Sequence, residues 1–324
     1  MTFSTFSLSR TAPSAEVVPK NVAILMSTFN GEAFLAEQLD SLIAQTHPHW
    51  TIYASDDGSC DATLNILQDY RSRLGEERLV IVQGPHRGFA ANFLSLLRRD
   101  DIHSPYFAFC DQDDCWNPDH LERGIAWLQS VDNDLPALYC SRTRLIDVRG
   151  NSIGLSPLFC RPPSFENALV QSIAGGNTML FNDATRELLR QTPSDEHIIS
   201  HDWWAYLLVT GCGGVVSYES EPTVGYRQHE KNLVGSNAGV MERAVRVRKM
   251  FQGTFRGWMD ANLHALAHFR NRLTPRNRQT LELFEEARTA GFARRLQLIR
   301  QSGVHRQSLS GTLGLAAAAI LQRI

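Results

Sequence analysis

The chain has no run approaching the roughly 18 consecutive apolar residues that a membrane span requires. Its six cysteines (Cys60, Cys110, Cys115, Cys140, Cys160, Cys212) form no C-x-x-C pair and no zinc-like spacing. Most fall in or beside apolar elements, so reduced core thiols are expected rather than a disulfide framework. The first twenty residues are rich in Ser, Thr and Pro and lack the apolar centre of a signal peptide, which reads as a disordered arm on a cytoplasmic protein. No internal repeat and no clear linker divide the remainder. Net charge is also nearly absent, at −2, but this small value conceals an asymmetry. From Met241 to Ile324 there are fifteen Lys and Arg against five Asp and Glu, a local +10, which leaves −12 for the rest. A basic tail on an acidic body points to an anionic surface as partner, membrane lipid or nucleic acid, or else to a solvated helical face. Nucleic acid is disfavoured because no aromatic-interleaved platform accompanies the charge.

What the chain does have is regular alternation. Val22–Ser27 reads as a buried strand. Glu32–Gln45 reads as a helix with Phe34, Leu35, Leu39, Leu42 and Ile43 on one face. Strands at Thr51–Ser55, Leu79–Gln83 and Tyr106–Cys110 alternate with helices near Asp61–Arg73 and Phe89–Arg98. Such alternation predicts an α/β protein with a mostly parallel sheet covered on both faces. Beyond Trp116 the pattern is mixed: a helix at Asp119–Ser130, a strand at Ala137–Ser141 and a hairpin around Arg149-Gly150-Asn151. A strand at Asn177–Phe181, a helix at His201–Leu208 and strands at Val215–Tyr218 and Thr223–Gln228 follow. After Gly235 helical patterning continues to the end, and Leu313–Ile324 reads as a short amphipathic helix. That helix suits the membrane interface, packing on the body or pairing with another subunit.

Four polar clusters punctuate these elements: Ser27 to Gly31, Ser55 to Ser59, Asp111 to Asp114, and His201 to Trp204. The third is the densest in charge, with three carboxylates in four positions. Like charges that close repel unless a cation or polar ligand holds them, and carboxylate oxygens suit hard cations such as Mg²⁺ or Mn²⁺. In a parallel sheet the first three clusters converge on one edge, where such sheets place ligands. Arg87-Gly88 precedes a helix, so Arg87 and the helix amino end are candidates to face phosphate.

The stretches "MSTFNGEAFLAEQLDSLIAQTH", "SDDGSCDAT", "GFAANF", "FCDQDDCW", "GGNTMLF", "HDWW" and "YRQHEKNLVGSN" together resemble the family 2 glycosyltransferases. The resemblance runs from about Val22 to about Gly235, and its last motifs are similar to bacterial rhamnosyltransferases that build O-antigen or capsular polysaccharide. It implies the GT-A fold: a mixed, mostly parallel sheet flanked by helices, here with a helical C-terminal extension. The expected organisation is an arm at 1–20, a catalytic domain at 21–235 (a nucleotide-sugar half at 21–116, an acceptor half at 117–235) and a basic extension at 236–324.

For the site, the resemblance implies nucleoside contacts from Ser27, Phe29, Asn30, Asp56 and Asp57, with Phe29 standing where the family often has Tyr. Asp111 would contact ribose or metal, and Asp113 would ligate a divalent cation, Mg²⁺ or Mn²⁺. Asp202 would be the base for the acceptor hydroxyl, which implies inversion. Gly176 and Asn177 match the family's acceptor loop. His229 is open between second metal ligand and ordinary loop residue. Asp114 is open between capping the next helix and orienting a metal-bound water. His201 and Trp203 are candidates on the acceptor side. The implied donor is a nucleotide sugar, plausibly dTDP-L-rhamnose, and the implied acceptor is a saccharide carried on a lipid at the inner face of the plasma membrane. A nucleotidyltransferase would need a basic glycine-rich loop after the first strand, and "STFNGEAF" has no Lys or Arg. A catalytically dead binding protein is disfavoured by the intact Asp113 and Asp202.

Overall fold

A computed structural model describes residues 21–229 and 254–324. The arm at 1–20, the end of the "YRQHEKNLVGSN" motif and the start of the expected extension lie outside the described residues.

The first half alternates strand and helix: β1 (Val22–Thr28), α1 (Leu35–Ile43), β2 (Trp50–Asp56), α2 (Thr63–Leu74), β3 (Leu79–Gln83), α3 (Phe89–Leu97) and β4 (Tyr106–Cys110). The second half contains β5 (Cys115–Trp116), α4 (His120–Leu128), β6 (Ala137–Ile146), β7 (Ser152–Leu155), α5 (Phe165–Ala168), β8 (Leu180–Asn182), α6 (Asp183–Leu189), α7 (His201–Gly211) and β9 (Val215–Arg227). Four helices close the chain: α8 (Thr254–Ala267), α9 (Pro275–Thr289), α10 (Phe292–Ser302) and α11 (Leu309–Ile320).

One sheet runs β3-β2-β1-β4-β8-β6-β9-β5, with β7 paired to β6. Its β3-β2-β1-β4 portion is wholly parallel. Antiparallel β8 joins β4 to β6, and β9 then pairs parallel with β6. The parallel strands are apolar on both faces, as a doubly covered sheet demands. Val22, Ile24 and Met26 of β1 pack with Leu35, Leu39 and Leu42 of α1 and with α2 and α4. Ala23 and Leu25 point the other way, into a core with Phe93 of α3, Phe107 and Phe109 of β4, and Trp204 and Tyr206 of α7.

The C-terminal helices belong to that second core, to which Met259, Leu266, Phe269, Leu281, Phe284, Leu315 and Ala319 contribute. Arg295, 3% exposed, donates to the carbonyls of Ala287, Ala290 and Ala319 and so ties α9, α10 and α11 together. Part of the basic tail is therefore structural.

Three sequence expectations shift. The strand expected at Asn177–Phe181 begins as a 3-10 turn over Gly176–Thr178, closed by Thr178 N–H and Oγ on the Gly175 carbonyl. The two strands expected at 215–228 are one continuous β9, with a register shift against β6 between Ser141 and Thr143. All six cysteines are free, but Cys60 and Cys160 are exposed rather than in the core. The hairpin around Gly150 is present, with Gly150 at φ 81° and Asp147 accepting the N–H groups of Arg149 and Asn151.

Candidate active site

Parallel register sets Thr28 beside Asp56 and Met26 beside Cys110, so the loops after β1, β2 and β4 leave the sheet at one edge. The first two are stitched together by their own polar groups. Asn30, at φ 48°, donates its N–H to Ser59 Oγ and accepts from Cys60 N–H, both at 2.8 Å. Asp56 is buried and both its oxygens are engaged. Thr28 and Ser59 hydroxyls donate to one, and Gly58 and Ser59 N–H groups to the other. Asp57, also buried, accepts from the N–H groups of His86 (2.6 Å) and Gly88 (2.8 Å) and so fixes the turn that leads into α3. Ser27 Oγ accepts from Asn92 Nδ2, while Asn92 also bonds Ser55. These carboxylates and amides act as ties between the loops at this edge of the sheet. Phe29, 54% exposed, is the side chain of this set that remains open to a ligand. Arg87 reaches across the entrance and donates to the Ser194 carbonyl at 3.1 Å, bridging the β3–α3 turn to the loop before α7.

The acidic loop divides its four positions clearly. Gln112 turns back to the β1 loop: its Oε1 accepts Phe29 N–H (2.8 Å) and its Nε2 donates to Phe29 O (3.0 Å). A Cβ on Gly31 would lie 2.3 Å from that Oε1, so the glycine is needed for this close approach. Asp111 is half-buried. Burial first, then the charges of Asp113 and Asp202, push its pKa up to about 8. Asp113 accepts from or faces His229 Nε2 at 2.8 Å, and Phe34 stacks on the His229 ring at 5.1 Å. Asp114 is fully buried and resolves the question left by the sequence. Its oxygens accept Asn177 Nδ2 (2.5 Å) and Arg227 N–H (3.0 Å), whereas α4 begins six residues later with Asp119 at its cap position. Asp114 ties the Gly176–Thr178 turn to β9. Burial, followed by repulsion from Asp113 and Asp111, holds its pKa well above the ordinary carboxylate value.

On the facing side, Asp202 lies in the first turn of α7, where a carboxylate complements the helix dipole. It accepts Gly176 N–H (3.2 Å), Trp203 N–H (2.6 Å) and the Ser200 hydroxyl. His201 and Trp203 do not reach the cleft. His201 is 4% exposed, stacked on Phe93 at 3.9 Å and edge-on to Phe109, and burial pushes its pKa down to about 4. Trp203 is buried with its indole N–H on the Ala168 carbonyl. The physical reason is that α7 is buried almost all round, so neighbours of a cleft residue on this helix point into the core. Gly176 packs directly over His201, whose Nε2 would sit 2.3 Å from an added Cβ.

Three residues outside the sequence expectations organise the site. Arg227 is fully buried. It donates to the carbonyls of Asp113 (3.0 Å), Asp147 (3.3 Å) and Val148 (3.1 Å), pairs with Glu37, and lies over the Phe34 ring at 4.7 Å. Asn92 ties the first two loops to α3, and Gln112 ties the acidic loop to the first. Asn92 was visible as the lone amide in the apolar run "FAANFLSLL"; the partners of Arg227 lie up to 190 positions away and left no local trace.

A divalent cation fits this donor set. Among the described residues no three side-chain donors converge on one point. Asp113 and His229 offer one oxygen and one nitrogen, both partly open to the cleft. The crowding that raises the proton affinity of Asp111 is the kind of excess negative charge a cation relieves. A hard ion that completes its shell with diphosphate oxygens and water needs few protein ligands.

An α/β sheet with these loops at its parallel edge is the architecture of a GT-A glycosyltransferase, and the comparisons agree. The chain superimposes on S. aureus TarS residues 1–349 in complex with UDP-GlcNAc at a TM-score of 0.52 and 17% identity, covering 87% of this chain and 90% of that one. It superimposes on the mannosyltransferase PcManGT from Pyrobaculum calidifontis, in complex with GDP-Man and Mn²⁺, at 0.51 and 18% identity, covering 96% and 88%. The glycosyl transferase family 2 profile matches residues 23–200, and the chain belongs to that family. It is 28% identical over 225 residues to the dTDP-rhamnosyl transferase RfbG of Shigella flexneri, spanning 65% of this chain and 74% of RfbG. It is 31% identical over 107 residues to the putative teichuronic acid biosynthesis glycosyltransferase TuaG of Bacillus subtilis, spanning 33% and 41%.

Proposed function

We propose that this glycosyltransferase moves a sugar, with inversion at the anomeric carbon, from a nucleoside diphosphate donor to a saccharide acceptor carried on a lipid. The donor is dTDP-L-rhamnose, the setting bacterial surface-polysaccharide synthesis at the cytoplasmic face of the membrane. The observation that carries the reading is the opposition of two carboxylate stations. Asp111 and Asp113, with His229, form one at the β4 loop, and Asp202 faces them from α7 closely enough to raise the proton affinity of Asp111. The likeness to RfbG supports the choice of donor.

In this reading Phe29 stacks on the nucleoside while the stitched β1 and β2 loops set the pocket wall. Asp113 and His229 would hold a divalent cation, which would supply countercharge for the departing diphosphate. Asp202 accepts the proton of the acceptor hydroxyl. Its geometry suits a base: Gly176 N–H and the Ser200 hydroxyl fix the carboxylate, so little reorganisation accompanies proton transfer. Asn177, held by Asp114, sets the acceptor loop against the donor station. Attack from the Asp202 side with the leaving group opposite gives inversion.

The test is Asp202→Asn. Transfer should fall by at least about 10²-fold, the low end of what a positioned base contributes, while the dissociation constant for the donor nucleotide changes little. Retained turnover, or loss of nucleotide affinity in that variant, would refute the base assignment. The anomeric configuration of the wild-type product, read by NMR, checks inversion separately.

A further inference from the structure

Helix α11 carries an apolar face that the described residues do not cover. Its buried side, Leu315, Ala318 and Ala319, packs into the core. The opposite side presents Leu309 at 78% exposure, Leu313 at 63% and Ile320 at 47%, with Leu321 at 51% beside them. Positions 309, 313 and 320 fall on one stripe of a 3.6-residue helix. Phe292, 57% exposed, opens α10 at the end where Arg295 of that helix meets the Ala319 carbonyl, so it lies toward the same end as Ile320 and Leu321.

After Glu286 the chain contains six arginines (Arg288, Arg294, Arg295, Arg300, Arg306, Arg323) and no Asp or Glu. Arg295 is taken up in the core and Arg288 and Arg294 pair with Asp260 and Glu286, while Arg300 and Arg323 are exposed. Arg323 is exposed next to Leu321, and Arg256 of α8 donates to the neighbouring Gln322 carbonyl at 3.1 Å. Guanidinium groups therefore stand at the end of the apolar stripe.

We propose that this face of α11 is a docking surface for an anionic lipid bilayer, on which the enzyme rests with the helix in the plane of the interface. The leucines protrude rather than line a groove. Protruding side chains enter fluid acyl chains without needing a complementary pocket, and the arginines remain at the level of the anionic headgroups. The helix has twelve residues, about 18 Å at 1.5 Å per residue, well short of the ~30 Å hydrocarbon core, so it lies on the membrane and does not cross it. Self-association is a poorer fit: a two-fold contact through this stripe would bring its arginines toward each other with no acidic partner in the segment.

The inference goes beyond the catalytic reading and stands without it, because lipid binding is measured with neither donor nor acceptor present. The full chain is sedimented with vesicles of phosphatidylcholine alone and of phosphatidylcholine with phosphatidylglycerol. Wild type should bind the anionic vesicles, release as salt rises, and bind the neutral ones weakly. Leu309→Ser with Leu313→Ser should weaken binding by roughly 100-fold, about tenfold per leucine withdrawn from the interface. Arg323→Glu should weaken it several-fold. Unchanged thermal unfolding and unchanged donor hydrolysis would show that the variants are folded. The proposal is overturned if wild type stays in the supernatant at low salt, or if the double variant binds anionic vesicles as well as wild type. It is equally overturned if the leucine changes convert an oligomer to a monomer without altering vesicle binding, which would assign the face to a second copy.

Discussion

Replacing Arg227 by Met removes one guanidinium and disturbs four elements at once. The side chain is fully buried and donates to the carbonyls of Asp113, Asp147 and Val148 as well as to Glu37. Methionine keeps most of the volume and the contact with Phe34 but supplies no donor. The Asp113 carbonyl loses its donor, at about 1–3 kcal/mol, whereas the Asp147 carbonyl keeps the Gly150 N–H and Val148, 51% exposed, lies within reach of water. Glu37 is 55% exposed and returns to water at little expense. The net loss should be about 2 kcal/mol, most of it from the Asp113 carbonyl. A second effect is functional. Without the bond to the Asp113 carbonyl and the arginine over Phe34, the Asp113–His229 pair loses its alignment, and Mn²⁺ affinity in the presence of a nucleoside diphosphate should fall 10–100-fold. Urea unfolding followed by tryptophan fluorescence gives the first number, and Mn²⁺ titration by electron paramagnetic resonance gives the second. Glu37→Gln serves as the control and should cost under about 1 kcal/mol. A loss below about 1 kcal/mol for Arg227→Met, together with unchanged Mn²⁺ binding, would refute the reasoning.

Gly176→Ala should destabilise the fold by about 1–3 kcal/mol and impair transfer, because its methyl group would lie 2.3 Å from His201 Nε2, a ring already stacked on Phe93. Adding His201→Ala to Gly176→Ala should recover part of the melting temperature, and an additive double variant would speak against the clash. Acid sensitivity is a further consequence of His201. Its folded pKa lies at about 4 against an ordinary 6.5, so the unfolded chain takes up a proton that the fold refuses. Stability is complete above pH ~6.5 and declines by about 3 kcal/mol as pH falls toward ~4. His201→Phe should roughly halve the slope in thermal melts, the remainder coming from His120, whose pKa burial lowers further, to about 3. Identical slopes in wild type and variant would remove His201 from the account.

The layered α/β architecture was legible because hydrophobic period and strand–helix alternation are local signals. The same signals brought the β1, β2 and β4 loops to one edge, since parallel register leaves no other arrangement. Legibility failed where meaning depended on partners distant in sequence. Asp56 and Asp57 read as ligand contacts, and no local pattern announces that their oxygens also tie the β1, β2 and β3–α3 loops together. The role of Asp114 rests on Asn177 and Arg227, 63 and 113 positions away. His201 and Trp203 flank Asp202, but α7 is apolar on every side, and no polar stripe told which of its residues faced the cleft. Nothing near Arg227 in the chain hints that a guanidinium at the end of β9 will be sealed against α1. The pattern announced a short amphipathic helix at 313–324; the helix runs Leu309–Ile320, and the pattern did not show which stripe the core would take and which it would leave bare.

The central claim is that Asp113 holds the cation that assists sugar transfer. Turnover of a panel of nucleotide sugars, measured with Mn²⁺ and then with excess chelator on wild type and Asp113→Ala, tests it most directly. The account predicts that dTDP-L-rhamnose is consumed with Mn²⁺, that chelator stops the reaction reversibly, and that Asp113→Ala is inactive at every Mn²⁺ concentration while remaining folded. Turnover that persists in chelator, or an Asp113→Ala enzyme as active as wild type, would contradict it.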